Sequence, residues 1–216
     1  MSPALPLAGA AVLCMLTLTR QMDAQERNEW TVAFGASGTR QIARSRIGTA
    51  RARLGGPLFG GEALVTWRHL AARVRYGQGR VTSDTAARDV VEGEGLLGYE
   101  IRPWLHAWFG PHARTFVVPD LSDRRWHFWA GRVTARGAVF PGRVEGFVEL
   151  WHGLAGRLSR PATPASGRGG EAGLEVRLGA PWWGRVAYGI EQGRADSGPR
   201  QTVEKFTVTI GYVPVR

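Results

Sequence analysis

Two of the five histidines stand beside residues that could complete a hydrolytic site. His112 and His127 flank a polar stretch that contains Asp120, Ser122 and Asp123. A histidine that contacts a carboxylate or a hydroxyl can act as a general base or activate a nucleophile. A histidine beside a polar loop is more often a solvated residue, and no further catalytic motif accompanies this pair. A hydrolase at the rim of the fold is therefore the third of three functional hypotheses.

Metal and nucleic-acid chemistry find little support in the sequence. There is no His-x-His pair and no calcium loop, and Cys14 is the only cysteine. The net charge of +10 comes mostly from arginines that are spread singly along the chain. A nucleic-acid-binding protein would cluster them in a stripe. We therefore predict no metal, no cofactor and no nucleic-acid partner.

Charged side chains recur at every second position in several stretches, in alternation with apolar ones. Glu92, Glu94 and Glu100, for example, lie on the face opposite Leu97 and Tyr99. A period of two is that of a β-strand, whose successive side chains point to opposite faces. The predicted charged face comprises Arg51, Arg53, Arg73, Arg75, Glu92, Glu94, Glu100, Arg132, Arg136, Glu145, Glu149, Glu175, Arg177, Arg185 and Glu191. These residues predict an interior in which arginine pairs with glutamate.

Alternation predicts ten strands and no helix after the N-terminal segment. Their approximate ranges are 29–37, 46–54, 62–77, 88–102, 104–118, 125–139, 143–158, 170–178, 183–194 and 202–213. The third stretch alternates cleanly only if one extra residue, a β-bulge, is inserted near Arg68 and His69. With it, Val65, Trp67, Leu70, Ala72, Val74 and Tyr76 would all point outward.

The connections between these stretches alternate short and long. The sequences GGPLFGG, Pro103, FPGR and GAPWW predict tight turns, because they are built from Gly and Pro. Between them lie GTRQIARS, QGRVTSDTAA, PDLSD, AGRLSRPATPASGRGG and ADSGPRQ, which predict longer polar loops. An even strand number with tight turns at one end and long loops at the other is typical of a transmembrane β-barrel. We predict an all-β fold, a single antiparallel up-and-down barrel of about ten strands, with eight strands as the alternative.

The N-terminal segment predicts export. Residues 5–18 form an apolar run of about 14 residues, which is too short for a membrane-spanning helix and suits the core of a signal peptide. We predict a signal peptide at residues 1–24 and a barrel domain at residues 25–216.

Several of the nine tryptophans fall near strand ends. Amphipathic rings at these positions are typical of the girdles where a barrel meets the lipid headgroups. The predicted interfacial aromatics are Trp104, Trp126, Trp129, Trp182, Trp183 and Tyr212.

The last stretch carries a family resemblance. Residues 206–212, FTVTIGY, alternate apolar side chains up to an aromatic and resemble the C-terminal signal of small bacterial outer-membrane β-barrel proteins, although four residues follow it. This resemblance implies an outer-membrane location, contact with membrane lipid and lipopolysaccharide, and recognition by the barrel-assembly machinery during biogenesis.

Three functions remain open at this stage. The first is a structural or surface-binding barrel that is largely plugged by its Arg/Glu lumen, because a barrel of this size is nearly filled by side chains. Its basic loops would face acidic glycans, lipopolysaccharide phosphates or a partner, or merely solubilise the surface. The loop arginines are Arg40, Arg44, Arg80, Arg157, Arg160, Arg168 and Arg200. The second is a narrow anion-preferring channel, and the third is the rim hydrolase.

Overall fold

A computed structural model describes residues 30–47, 49–117, 124–159, 163–196 and 200–214. The predicted signal peptide and Cys14 lie outside these residues. The described chain forms ten strands: β1 (Trp30–Ile47), β2 (Ala50–Trp67), β3 (Leu70–Thr82), β4 (Ala87–Arg102), β5 (Leu105–Val117), β6 (Arg124–Phe140), β7 (Val144–Ser159), β8 (Thr163–Gly179), β9 (Trp182–Ala195) and β10 (Arg200–Tyr212).

Each strand pairs antiparallel with its sequence neighbours, and β1 pairs with β10 to close the barrel. The closing register joins Phe34 to Tyr212 and Arg46 to Arg200. Closure leaves no sheet edge, so backbone donors and acceptors are satisfied within the ladder. The predicted ten-stranded up-and-down barrel is confirmed.

The first three strands begin and end at other residues than predicted. GTRQIARS belongs to β1, and GGPLFGG lies in the middle of β2. These glycines mark close strand contact and no turn: a Cβ added at Gly60 would strike the carbonyl oxygen of Tyr76, and one at Gly56 that of Arg80.

The predicted bulge at Arg68 and His69 is wrong, because these two residues form the turn between β2 and β3. Arg68 has a left-handed φ of 56° there. A two-residue turn shifts the alternation by one position, as a bulge would. Val65 of β2 and Val74 of β3 therefore both point outward. Neither residue is one that favours a left-handed turn, so no turn signal stands in the sequence.

The two ends of the barrel differ. Short turns at residues 68–69, 103–104, 141–143 and 180–181 lie at the end where β1 begins and β10 finishes. Three of them agree with the predicted turns at Pro103, FPGR and GAPWW. Outer-membrane barrels place short turns in the periplasm. We therefore call this end periplasmic and the opposite end extracellular.

The strands at the extracellular end continue into most of the predicted loops. β3 runs to Thr82 and leaves residues 83–86 as the connection, while β7 and β8 leave only residues 160–162 between them. The predicted loop PDLSD lies outside the described residues. Polar segments extend the ladder here, since hydrogen bonding between strands does not require apolar side chains.

A continuous apolar belt surrounds the barrel. Each strand contributes exposed large side chains to it, represented in strand order by Phe34, Phe59, Tyr76, Leu97, Phe109, Trp129, Leu150, Leu174, Tyr188 and Phe206. Along β9 the belt runs from Trp182 to Ile190, about 27 Å at roughly 3.4 Å per residue. Strand tilt reduces this to a height comparable with the apolar band of about 25 Å on membrane barrels. Soluble monomers rarely expose so large an apolar surface, so the belt faces lipid.

No helix among the described residues is long and apolar enough to cross a membrane.

One interior contact makes the fold testable. Gly211 of β10 is paired with Trp183 of β9, whose ring occupies the space that a Cβ on Gly211 would need. We expect Gly211→Ala to destabilise the barrel by about 1–3 kcal/mol through overpacking. The measurement is urea unfolding of refolded protein in detergent micelles. Gly38→Ala is the matched control, because no atom lies within 4 Å of its added Cβ. Equal stability of the two variants would contradict the packing of Trp183 on Gly211.

Candidate functional site

The middle of the barrel interior is filled by ion pairs. Glu149 accepts two hydrogen bonds from Arg73, at 3.0 and 3.1 Å, and one from Arg132 at 2.9 Å. The hydroxyl of Thr134 donates to the same carboxylate at 2.9 Å. Arg132 also pairs with Glu94. All five side chains lie inside the wall because they occupy the inward positions of β3, β4, β6 and β7.

A second cluster lies beside it on β4, β5, β9 and β10. Arg114 pairs with Glu92 at 2.6 Å and with Glu191 at 2.8 Å. Lys205 Nζ lies 2.9 Å from Glu92 and 3.0 Å from Glu191. Two cations and two carboxylates thus form a closed ring of contacts. Each charge offsets the desolvation of its neighbours.

A third group extends towards the periplasmic mouth. Glu62 accepts from Arg75 at 2.8 Å and pairs with Arg185 at 3.0 Å. Arg185 and Arg136 lie 3.5 and 3.7 Å from Glu175. The contacts lengthen towards the mouth, where the side chains are less buried.

The structure places the predicted charged residues in three environments. The most buried members of the three groups are Arg73, Arg75, Glu92, Glu94, Arg132, Glu149, Arg185 and Glu191. Arg136, Glu175, Glu100, Glu145 and Arg177 lie nearer the periplasmic mouth; Glu100 is 4.0 Å from His106. Arg51 and Arg53 do not belong to the interior. They are exposed on the outer face of β2, whose inward positions include Leu54 and Leu58.

Sequence reasoning missed three members of the network. Glu62, Arg114 and Lys205 each make ion pairs in it. Alternation along the strand was the available signal, since Lys205 lies on the face of β10 opposite that of Phe206. Glu62 was concealed because its strand was predicted to begin at that residue.

An apolar cluster, which the sequence analysis did not predict, occupies the interior at the extracellular end. It comprises Leu54, Leu58, Val81, Val90, Trp126, Phe128, Leu158 and Ala195. Val81 and Val90 have no exposed surface at all. The prediction that Trp126 is interfacial is wrong: it points inward and stacks on Phe128, with ring centroids 6.0 Å apart.

The other predicted aromatics also separate into two sets. Trp129 is exposed in the belt and stacks on Phe109 at 5.4 Å. Trp182 contacts Tyr212 edge to face at 5.2 Å at the periplasmic rim. Trp104 lies half-buried in the turn at residues 103–104. Trp183 is not interfacial, because it faces the interior beneath the guanidinium of Arg185, 5.2 Å away.

The two candidate catalytic histidines point in opposite directions. His112 is buried in the charged interior, 3.5 Å from Glu94. His127 follows the inward-facing Trp126 and is exposed on the outer face of β6. Asp120, Ser122 and Asp123 lie outside the described residues. The described residues hold no group of His, Cys, Asp and Glu that could bind a metal ion.

Arginines encircle the outer face beyond the apolar belt at the extracellular end. This outer collar comprises Arg40, Arg44, Arg46, Arg51, Arg53, Arg80, Arg125, Arg157, Arg168, Arg194 and Arg200, all exposed. Among the described residues, Glu204 pairs with Arg44, and Asp89 lies 3.8 Å from Arg80. Most of the arginines predicted to lie in loops therefore stand on strands, while Arg160 lies outside the described residues.

Four collar residues stand directly opposite one another on adjacent strands. Arg194 of β9 pairs with Arg200 of β10, Arg200 with Arg46 of β1, and Arg46 with Arg51 of β2. We call these four the arginine row. Like charges directly opposite each other across strands are destabilising. The row is therefore a concentrated positive surface that an anion would stabilise.

The closed antiparallel ladder, the lipid-facing belt and the charged interior define the class: the chain has the fold of the transmembrane β-barrels of bacterial outer membranes. Several solved structures share this fold. The translocator domain of the autotransporter NalP from Neisseria meningitidis has a TM-score of 0.53 at 11% identity, over 95% of this chain and 94% of that one. The outer-membrane protease OmpT from Escherichia coli has a TM-score of 0.57 at 7% identity, over 88% and 100%. An outer-membrane channel from Pseudomonas putida F1 has a TM-score of 0.51 at 10% identity, over 90% and 100%.

No protein-family model matches the sequence, and no curated protein matches it. The three structural relatives are a translocator domain, a protease and a channel, so the shared fold fixes no activity.

The central ion pairs yield a stability prediction. Glu149→Gln removes the carboxylate that Arg73 and Arg132 share and leaves Glu94 as the one carboxylate paired with both buried arginines among the described residues. We expect a loss of about 3–5 kcal/mol, measured by urea unfolding in micelles. Glu145→Gln, on the same face of β7 but nearer the periplasmic mouth, should cost much less. The central network would not be the stabilising element if both variants unfolded at the same urea concentration.

Proposed function

We propose that the protein is a non-conducting envelope barrel whose outer collar binds the phosphate groups of lipopolysaccharide in the outer leaflet. The observation that carries this proposal is the arginine row. Arginine binds phosphate through paired, charge-assisted hydrogen bonds. The row presents four such groups on neighbouring strands just beyond the apolar belt.

The distribution of charge supports a ligand outside the barrel. Among the described residues, interior-facing cations and anions are equal in number. The cations are Arg73, Arg75, Arg88, Arg114, Arg132, Arg136, Arg177, Arg185 and Lys205; the anions are Glu62, Glu92, Glu94, Glu100, Glu145, Glu149, Glu171, Glu175 and Glu191. The net charge of +10 therefore comes from residues other than these, and most of the exposed arginines among the described residues belong to the collar. The excess is located where lipid phosphates would lie.

The packing of the interior supports a barrel that does not conduct. At the extracellular end, Val81, Val90, Leu158 and Val203 are at most 1% exposed although they face the lumen. Below them, the ion-pair clusters surround a cavity of only about 100 Å³. An aqueous path would expose these side chains to water.

We expect planar-bilayer recordings of the refolded protein to show no steady conductance. The apolar cluster and the ion pairs would both have to open before ions could pass. Arg132→Glu serves as the diagnostic variant, because it reverses a charge in the middle of the lumen. Steady anion-selective steps in the wild type that Arg132→Glu abolishes would contradict the proposal and favour a channel.

A second test addresses the collar. We expect the triple variant Arg46→Gln, Arg51→Gln, Arg200→Gln to bind lipopolysaccharide at least about tenfold more weakly than the wild type, since several charge-assisted bonds are lost. Without lipopolysaccharide the same variant should remain folded, with a heat-dependent gel shift like that of the wild type. Affinity is measured by surface plasmon resonance with protein in micelles, and stability by the temperature at which its gel migration changes.

The control triple is Arg68→Gln, Arg102→Gln, Arg143→Gln, which removes three exposed arginines at the periplasmic end. It should retain wild-type affinity. Dephosphorylated lipopolysaccharide should bind the wild type as weakly as the collar variant does. If both triples bound alike, the collar would be merely a solubilising surface.

A further inference from the structure

The periplasmic mouth opens into a cavity of about 490 Å³, which we call the vestibule. Its wall includes Arg136, Arg177, Trp108 and Trp183. This volume is within the range of small-molecule sites, roughly 300–1,000 Å³. The vestibule is therefore large enough for an organic ligand, whereas the central cavity is not.

Charge within the vestibule is unbalanced. Four arginines line it, Arg73, Arg136, Arg177 and Arg185, but only two carboxylates, Glu62 and Glu175. Both carboxylates already have partners. Glu62 pairs with Arg75 and Arg185, and Glu175 pairs with Arg136 and Arg185. Within the described part of the chain, no carboxylate lies within ion-pair distance of Arg177. Arg73 is already paired with Glu149 and Glu94, so the positive excess of the wall lies at Arg177.

Two buried donors in this wall also lack partners. Among the described residues, nothing accepts a hydrogen bond from Arg73 Nε or Arg185 Nε. Arg185 Nε lies 3.5 Å from Glu175, which is longer than a well-formed hydrogen bond. Arg73 is only 5% exposed, so its unpaired donor is costly unless a ligand satisfies it.

Tryptophan rings hold these guanidinium groups in place. Arg73 lies over Trp108, 4.8 Å from the ring centroid, and Arg185 lies over Trp183 at 5.2 Å. Trp108 is itself fixed by a hydrogen bond of 3.1 Å to Thr134. Stacked arginines lose little freedom when they bind an anion, because they are already ordered.

We propose that the vestibule binds, from the periplasm, a small organic anion that carries two or more carboxylate or phosphate groups. One anionic group would contact Arg177 and Arg136 at the entrance, while a second contacts the guanidinium of Arg185 deeper in the wall. This site is separate from the collar, because the two lie at opposite ends of the barrel and on opposite faces of the wall.

Benzene-1,3,5-tricarboxylate is the probe, and its binding is measured by isothermal titration calorimetry on refolded wild-type protein in micelles. Arg177→Gln should weaken binding about tenfold. Arg177 is exposed, so this variant should fold, which the heat-dependent gel shift verifies. Arg102→Gln is the matched control: this arginine is also exposed at the periplasmic end but does not line the vestibule, so its affinity should be unchanged.

The uncharged benzene-1,3,5-tricarboxamide should not bind. Equal affinity of the tricarboxylate for Arg177→Gln and Arg102→Gln, or equal binding of the tricarboxamide, would overturn the proposal. The collar triple variant should bind the tricarboxylate as the wild type does. A vestibule result is therefore distinguishable from failure of the lipopolysaccharide proposal.

Discussion

The closed hydrogen-bond ladder is the constraint on which the rest of the structure depends. Hydrocarbon offers no partner for a backbone donor or acceptor, so β1 must pair with β10 and no strand may end inside the membrane. Once the ladder is closed, every residue within the membrane points either to lipid or to the lumen. The charged residues of the spanning strands can only point inward, and there they must find each other. The carboxylate of Glu149, shared by two arginines and a threonine, is a direct consequence.

The polarity of the two faces reverses beyond the membrane. Within the belt, apolar side chains point outward and charges inward. At the extracellular end the same two-residue period continues, but arginines point outward and Leu54, Val90 and Trp126 point inward. The reversal has a simple cause: the outer face there meets water and lipid headgroups, while the lumen must still be filled. One barrel wall thus carries an apolar surface for lipid and, above it, a cationic surface.

This reversal also explains which features the sequence could predict. Strand number and the short turns at Pro103, FPGR and GAPWW followed from alternation and from Gly and Pro, because those signals have local causes. Assigning faces by chemistry succeeded within the belt, where charges cannot meet hydrocarbon, and failed for Arg51, Arg53 and Trp126, which lie beyond it. The predictions at the turn of Arg68 and at the glycines of β2 were wrong for a different reason. Whether a glycine bends the chain or admits a neighbouring strand depends on the partner strand, here Tyr76 beside Gly60.

The surfaces that we propose to be functional lie on the strands of the wall. Only two residues separate β1 from β2 at the extracellular end, and only three separate β7 from β8. The two anion sites that we propose are both built on strands, as an arginine collar outside the wall and an arginine-lined vestibule inside its opposite end. Strand positions hold side chains in fixed relation, since cross-strand register sets the spacing of neighbours such as Arg46 and Arg200. An anion bound to such a row would be recognised by the spacing of its charged groups, and the same register that closes the barrel would determine that spacing.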